Sequence, residues 1–164
     1  MYEILICPLK KLYQLAEDGD MTDVAAIAAS SYDIRKDKMR LFGRSLCMHF
    51  ADTPDAQRAD AFNARTAAEL AAFILSLPAS LDTLFVCCDS GESRSAAMAA
   101  AILRYLGQDE WRIWRNPHYH PNPLVYSLLC ISLGAPVSPS DLQSRIRTNQ
   151  QAFSDAINRK DVRE

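Results

Sequence analysis

Four residues in one short segment have the types and spacing needed for nucleophilic chemistry: Cys88, Gly91, Arg94 and Ser95. A cysteine attacks as the thiolate, which a helix N-terminus and a nearby guanidinium stabilise. Arginine offers a planar fork of N–H donors that can hold two oxygens of a phosphoryl group. Gly91 lets the backbone curl where a Cβ could obstruct those oxygens, and the Ser95 hydroxyl can donate to the thiolate. This spacing predicts attack by Cys88 on a bound tetrahedral oxyanion.

The elements around these residues should form a strand, a tight loop and a helix. Residues 85–88 are apolar, the next residues are small or polar with one glycine, and residues 96–106 are rich in alanine without proline. Such a turn directs successive backbone amides into one concavity and adds the positive end of a helix. We expect the side chains of the two acidic residues in the loop to point outward into solvent. The predicted phosphate-binding residues are Asp89, Ser90, Gly91, Glu92, Ser93 and Arg94.

Residues 88–95, Cys-Asp-Ser-Gly-Glu-Ser-Arg-Ser, resemble the CX5R signature loop of the cysteine-dependent protein tyrosine phosphatase superfamily, in its dual-specificity-like branch. Cys87 is out of register, because Ser93 stands six positions after it, so Cys88 is the matching nucleophile. The family usually has histidine where this chain has Cys87. The resemblance implies an α/β fold of the tyrosine-phosphatase type, with a central, mostly parallel sheet flanked by helices. It also implies that no metal or organic cofactor is needed.

A proton donor is the remaining requirement, because an alkoxide or phenoxide leaves poorly unless it is protonated. Residues 50–53, Phe-Ala-Asp-Thr, resemble the general-acid loop of dual-specificity phosphatases, and this implies Asp52 as the acid. Asp55 is the alternative, because Pro54 could position either carboxylate. Aspartate is also common in simple turns.

Two further groups of residues have alternative interpretations. His118 and His120 are two positions apart without a third ligand nearby, so we favour an aromatic and proline wall near the loop over a metal site. Cys87 suggests that a sulfenic acid formed on Cys88 could be captured by a neighbouring thiol. Cys7 and Cys47, near the ends of other predicted strands, are competing partners.

Composition narrows the classes of protein to consider. The chain has 164 residues, of which 49% are hydrophobic, so one domain over residues 1–164 is expected. Its formal net charge of -2 argues against a protein that binds nucleic acid. No stretch is long and apolar enough to span a bilayer. Five cysteines, an odd number, fit a reducing compartment. We therefore expect a cytoplasmic protein without a membrane or nucleic-acid partner.

The remaining pattern predicts an alternation of strands and helices. Strands are expected over residues 2–7, 46–50 and 83–87, and the resemblance implies a further buried strand over residues 24–29. The basic segment 34–40 is either a solvated connection or a rim that attracts phosphorylated substrates. Residues 111–123 should be irregular, and residues 137–164 should form a polar surface helix and tail. The predicted helices cover residues 9–17, 62–75, 96–106, 124–133 and 138 to about 158.

The resemblance implies a hydrolase: a protein tyrosine or dual-specificity phosphatase acting through a cysteinyl-phosphate. Its substrate would be a phosphorylated protein, carrying phosphotyrosine or phosphoserine/threonine, or a small phosphate ester. A pseudophosphatase that binds phosphorylated partners without turnover would keep Arg94 and the loop but lack a competent acid. A rhodanese-type sulfurtransferase and an arsenate reductase are further alternatives, since both use a loop cysteine beside an anion site.

Overall fold

The computed structural model describes residues 2–161, with side chains to residue 159. Its sheet has the strand order β1-β4-β2-β3, and every pairing between these strands is parallel. The carboxyl ends of all the strands therefore meet at one edge of the sheet. The predicted mostly parallel sheet is confirmed. The strands are β1 (Glu3–Pro8), β2 (Val24–Ser30), β3 (Arg44–His49) and β4 (Thr83–Cys88).

Helices cover both faces of this sheet. Because side chains alternate along a strand, Ala28 and Cys87 pack under α1 and α2, whereas Ala29 and Cys88 belong to the larger core beneath α3, α4 and α6. Within residues 2–161 no helix is both long and apolar enough to cross a membrane. The helices are α1 (Leu9–Asp18), α2 (Lys36–Met39), α3 (Ala64–Leu75), α4 (Arg94–Tyr105), α5 (Trp111–Trp114), α6 (Pro123–Ser132) and α7 (Pro139–Asp161).

Strand β2 is a strand despite its alanines, which by themselves favour a helix. Its neighbours are β4 on one side and β3 on the other. Ala25 to Ala29 are completely buried, because helices cover both faces of the sheet here. Small side chains fit this central position, and the strand implied for residues 24–29 is confirmed.

Several predicted elements differ from the structure in their bounds or content. Helix α3 begins at Ala64 and not at residue 62, because the Asn63 side chain accepts a hydrogen bond from Thr66 N at 3.0 Å and caps the helix. Residues 111–123 are not irregular throughout, since they contain the single turn of α5. Helix α7 continues to Asp161, and the end of the predicted tail, residues 162–164, lies outside the described residues.

The basic segment 34–40 forms α2 and its flanks. Arg35 pairs with Asp37 at 2.7 Å, and Lys38 pairs with Glu17 of α1. These pairs neutralise two of the four basic side chains in the segment. The contacts favour the solvated connection over a substrate-attracting rim.

Helix α7 is held to the body of the protein by polar side chains that are buried, which the predicted surface helix did not anticipate. Arg145 Nη2 donates to Glu110 Oε1 at 2.6 Å, and Tyr126 Oη donates to Glu110 Oε2 at 2.6 Å. Burial raises the pKa of the Glu110 carboxyl, but these hydrogen bonds outweigh it and leave the pKa below its ordinary value. Asn149 donates to the carbonyl of Tyr119 at 2.8 Å. One face of the helix is therefore anchored.

We expect Arg145→Met to lower the free energy of unfolding by about 3 kcal/mol, because it leaves the buried Glu110 carboxylate without its closest cation. Urea denaturation measures the change. Arg147→Met on the same helix is the matched control, since Arg147 is exposed, and its effect should stay within about 0.5 kcal/mol. Equal effects of the two substitutions would contradict a stabilising role for the buried pair.

Candidate active site

The signature loop joins the end of β4 to the start of α4. Cys88 is the last residue of the strand and Arg94 is the first residue of the helix. Gly91 lies at the bend with φ +74°, which favours glycine. A Cβ at this position would lie 2.7 Å from Pro8 N and 2.8 Å from the carbonyl carbon of Cys7. The loop therefore rests directly on the backbone at the end of β1.

Gly91→Ala should lower the free energy of unfolding by about 3 kcal/mol, through its left-handed backbone and its clash with the Cys7–Pro8 peptide. Gly107→Ala is the matched control, because Gly107 has a similar φ of +67° but nothing within 4 Å of its Cβ position. The control should lose only about 1 kcal/mol. Urea denaturation compares them, and similar losses would show that the contact with β1 is unimportant.

Cys88 lies at the bottom of the loop beside Ser95. The Cys88 sulfur and the Ser95 hydroxyl oxygen are 3.1 Å apart, within hydrogen-bonding distance for sulfur. Both residues are completely buried. The hydroxyl is close enough to donate a hydrogen bond to the sulfur. Because Cys88 is completely covered in this conformation, a ligand reaches its sulfur only after the groups that cover it move.

The guanidinium of Arg94 is buried, and the described residues use only part of its hydrogen-bonding capacity. Its Nη1 donates to the Phe50 carbonyl at 2.8 Å and to Ser31 Oγ at 3.2 Å, and its Nη2 donates to Asp89 Oδ2 at 2.5 Å. Nε is buried without a partner among the described residues. A guanidinium has five N–H bonds, so the Nε–H and one Nη2–H remain. These two atoms form one edge of the planar group and can hold two oxygens of an oxyanion.

Asp89 does not point outward into solvent, which corrects the prediction for this side chain. Its carboxylate accepts hydrogen bonds from Ser30 Oγ at 2.6 Å and from Arg94. The reason is tertiary: β2 and β4 are neighbours in the sheet, so the end of β2 delivers Ser30 to the start of the loop. Asp89 therefore fixes the guanidinium inside the site.

The backbone amides of the remaining loop residues are unpaired among the described residues. The amides of residues 90–93 donate no hydrogen bond within the described part of the chain, which leaves them available to an anion beside the N-terminus of α4. The Glu92 carbonyl accepts from His120 N at 3.0 Å. The segment containing His118 and His120 thus supports the loop from outside. Among the described residues, no group of three His, Cys, Asp or Glu side chains is arranged to hold a metal ion.

The loop after β3 brings Asp52 to the signature loop. Asp52 Oδ1 accepts hydrogen bonds from Ser93 Oγ and Asn122 Nδ2, both at 2.8 Å. Its Oδ2 accepts none from the side chains and amides that the structure describes, and the residue is exposed. Asp55 instead accepts from Gln57 N at 2.9 Å in a local turn. The contacts favour Asp52 over Asp55 as the carboxyl group that serves the site.

Sequence reasoning missed several residues that build the site. Ser30 and Ser31 at the end of β2 contact Asp89 and Arg94. Asn122 was predicted only to start a helix, and its Oδ1 does accept a hydrogen bond from Leu124 N at 3.0 Å at the start of α6. Its second role was missed: the side-chain amide nitrogen donates to Asp52. The available signal was the position of the serines directly after a strand, since sites in parallel sheets lie at the carboxyl ends of the strands.

The cysteines are arranged differently from the predicted sulfenic-acid trap. Successive residues of a strand point to opposite faces, so Cys87 points away from Cys88 and contacts Cys7 at 3.3 Å between the sulfur atoms. Cys47 lies in the same register row as Cys87 but with Ala28 of β2 between them. Two strand spacings are about 10 Å. Cys87 is therefore placed to react with Cys7, and not with Cys88 or Cys47.

Comparisons with known proteins gave matches among solved structures only: no protein-family model matches the chain, and no curated protein matches it. The chain is similar to PTPMT1 in complex with PI(5)P, with a TM-score of 0.48 and 17% identity over 94% of each chain. For PTPMT1 alone the TM-score is 0.45, with 16% identity over 95% of each chain. For Tk-PTP in the active form it is 0.45, with 14% identity over 90% of each chain.

Proposed function

We propose that this chain is a cysteine-dependent phosphatase that hydrolyses phosphate monoesters through a cysteinyl-phosphate intermediate. The observation that carries the proposal is the buried Arg94 guanidinium, whose Nε has no acceptor among the described residues, on the same loop as Cys88. A buried N–H donor without an acceptor is costly, and a tetrahedral oxyanion supplies two acceptors at once. The unpaired loop amides and the N-terminus of α4 add to the same anion site.

In the first step, the Cys88 sulfur attacks phosphorus with an electron pair, forming the S–P bond. The P–O bond to the leaving group breaks, and its electron pair stays on the leaving oxygen. Asp52 gives that oxygen a proton, from the Oδ2 that no described group occupies. Its Oδ1 remains fixed by Ser93 and Asn122. The products are an alcohol or phenol and the cysteinyl-phosphate.

In the second step, the Asp52 carboxylate accepts a proton from a water molecule, and the water oxygen attacks phosphorus. The S–P bond breaks, and its electron pair returns to the Cys88 sulfur. The Ser95 hydroxyl, 3.1 Å away, donates to the departing thiolate and stabilises it. Arg94 and the loop amides hold the other phosphoryl oxygens in both steps, which provides electrostatic stabilisation of the transition state.

Turnover of a substrate panel by the purified chain tests the proposal. p-Nitrophenyl phosphate, phosphotyrosine and phosphoserine/threonine peptides and phosphoinositides distinguish the substrate classes. We expect steady turnover of p-nitrophenyl phosphate without added metal. Phosphate binding without turnover would establish the pseudophosphatase instead. Thiocyanate formation from thiosulfate would establish a sulfurtransferase, and thiol-dependent reduction of arsenate would establish a reductase.

Asp52→Asn should lower kcat/KM for phenyl phosphate by about 100-fold, because kcat/KM reports the phosphoryl transfer to Cys88 and asparagine cannot protonate the leaving oxygen in that step. The loss should be much smaller for 2,4-dinitrophenyl phosphate, whose leaving group needs no proton. Steady-state kinetics with both substrates measure the difference, which a merely structural role would not produce. Asp55→Asn is the matched control and should retain wild-type rates. The assignment fails if the Asp55 variant shows the leaving-group dependence and the Asp52 variant does not.

A further inference from the structure

Cys7 and Cys87 form a pair of thiols directly beneath the signature loop. They are register partners on the adjacent parallel strands β1 and β4, and their sulfur atoms are 3.3 Å apart. Neighbouring strands lie about 4.8 Å apart, within the range of Cα separations that a disulfide bridges. Both side chains point to the face of the sheet covered by α1. The two sulfurs can therefore bond without a change in strand register.

We propose that Cys7 and Cys87 are a redox modification site, at which hydrogen peroxide forms a disulfide that ties β1 to β4 under the signature loop. Cys7 is half-buried, whereas Cys87 is completely buried. Cys7 is thus the thiol that peroxide reaches, and Cys87 is the thiol that resolves the product. This is distinct from the attack of Cys88 on phosphorus, since Cys88 faces the other side of the sheet.

The chemistry needs peroxide as the only oxidant. The Cys7 thiolate attacks one peroxide oxygen, the O–O bond breaks, and the departing hydroxide takes a proton to become water, leaving a sulfenic acid. The Cys87 sulfur then attacks the Cys7 sulfur, the S–O bond breaks, and the departing hydroxide leaves as water with the Cys87 proton. Each sulfur is oxidised by one electron, and the peroxide is reduced to two molecules of water.

The electrostatics of the pair agree with this order of events. The hydrogen bond from Cys87 holds the pKa of the Cys7 thiol below its ordinary value, and Lys11 acts in the same direction. Burial, followed by the contact with Cys7, raises the pKa of the Cys87 thiol well above its ordinary value. Cys7 is therefore the better nucleophile toward peroxide, and Cys87 stays protonated until it resolves the sulfenic acid.

The disulfide should reach the active site through the backbone. The sulfurs must approach from 3.3 Å to about 2.05 Å, so the two side chains and the strand ends that carry them must adopt the geometry of a disulfide. Gly91 rests on the peptide between Cys7 and Pro8, and Cys88 follows Cys87 directly. A displacement here moves both the bend of the loop and the nucleophile. This effect on activity rests on the proposed phosphatase function, whereas disulfide formation does not.

Peptide mapping tests the disulfide itself. Cys87 and Cys88 share the tryptic peptide of residues 66–94, so the Cys88→Ser background is used to assign the link. After peroxide treatment, thiol blocking with N-ethylmaleimide and trypsin digestion without reductant, we expect the peptide of residues 1–10 linked to that of residues 66–94. Cys7→Ser should abolish the link, and Cys47→Ser, the matched control on the same face, should retain it. No link, or a link to the Cys47 peptide, would overturn the proposal.

Oxidised lipoamide then tests the effect on activity. When an isolated thiol attacks this cyclic disulfide, the second thiol of the reagent reverses the mixed disulfide, so the isolated thiol stays reduced. Only two protein thiols that can bond to each other remain oxidised. The chain carrying the disulfide should lose about tenfold in kcat/KM for p-nitrophenyl phosphate, and dithiothreitol should restore it. Cys7→Ser should keep its activity. Full activity of the disulfide form would refute this regulation. An inactive reduced chain would refute the proposed phosphatase function, and the peptide map would then decide whether the disulfide forms.

Discussion

Cys88→Ser should lower kcat/KM for p-nitrophenyl phosphate by about four orders of magnitude or more. A serine hydroxyl at the bottom of the loop is not ionised at neutral pH and has no general base beside it. The group 3.1 Å from the Cys88 sulfur is another hydroxyl, that of Ser95, which cannot remove a proton from serine. Steady-state kinetics measure the loss.

The anion site should survive this substitution, because it is built from Arg94 and backbone amides. Inorganic phosphate should therefore bind to Cys88→Ser with nearly wild-type affinity by isothermal titration calorimetry. Cys47→Ser is the matched control, since Cys47 lies on the opposite face of the sheet from Cys88 and its loss should leave kcat/KM unchanged. Turnover by Cys88→Ser at a substantial fraction of the wild-type rate would exclude the cysteinyl-phosphate.

Arg94→Lys should lower kcat/KM by about 10³-fold. Lysine keeps the positive charge but loses the planar fork, so it cannot hold two phosphoryl oxygens while also donating to the Phe50 carbonyl and Asp89. The effect should fall on phosphate binding as well as on kcat, because the proposed mechanism has the guanidinium contact the oxyanion in both the ground state and the transition state. Kinetics and phosphate titration measure the two parts.

Arg35→Lys is the matched control for this change. Arg35 is exposed and pairs with Asp37 in α2, at a distance of 2.7 Å. The Arg35→Lys variant should retain wild-type kinetics, because an exposed ion pair contributes little energy. Because Arg94 is buried, the melting temperature of Arg94→Lys is measured in parallel. A folded Arg94→Lys protein with wild-type activity and phosphate affinity would contradict the anion site proposed here.

Local patterns predicted the elements well. The apolar run before Cys88, the single glycine and the alanine-rich segment after Ser95 predicted a strand, a loop and a helix, and β4 and α4 confirm them. The start of α6 at Asn122 and Pro123 was also predicted, because capping depends on neighbouring residues. The boundary of α3 was missed because the cap at Asn63 was not recognised.

The contacts of the site could not be predicted in the same way. The Asp89 side chain was expected to point into solvent, because the residues next to it in the sequence do not indicate a contact with Ser30, which is 59 residues away in the chain. The contacts that favour Asp52 over Asp55, with Ser93 and Asn122, also come from distant parts of the chain. The predicted reaction of Cys87 with Cys88 was wrong for the same reason, because the thiol that contacts Cys87 depends on which strand lies beside β4.

The sequence by itself determined the chemistry available to this protein: a cysteine, a glycine, an arginine and a serine on one strand-loop-helix turn, whose spacing is a local property. The tertiary structure decided which distant groups complete it. The order β1-β4-β2-β3 brings the ends of β2 and β3 to Arg94 and places Cys7 against Cys87. Pairing of parallel strands is non-local, because it depends on the packing of both faces of the sheet and not on the residues next to each strand.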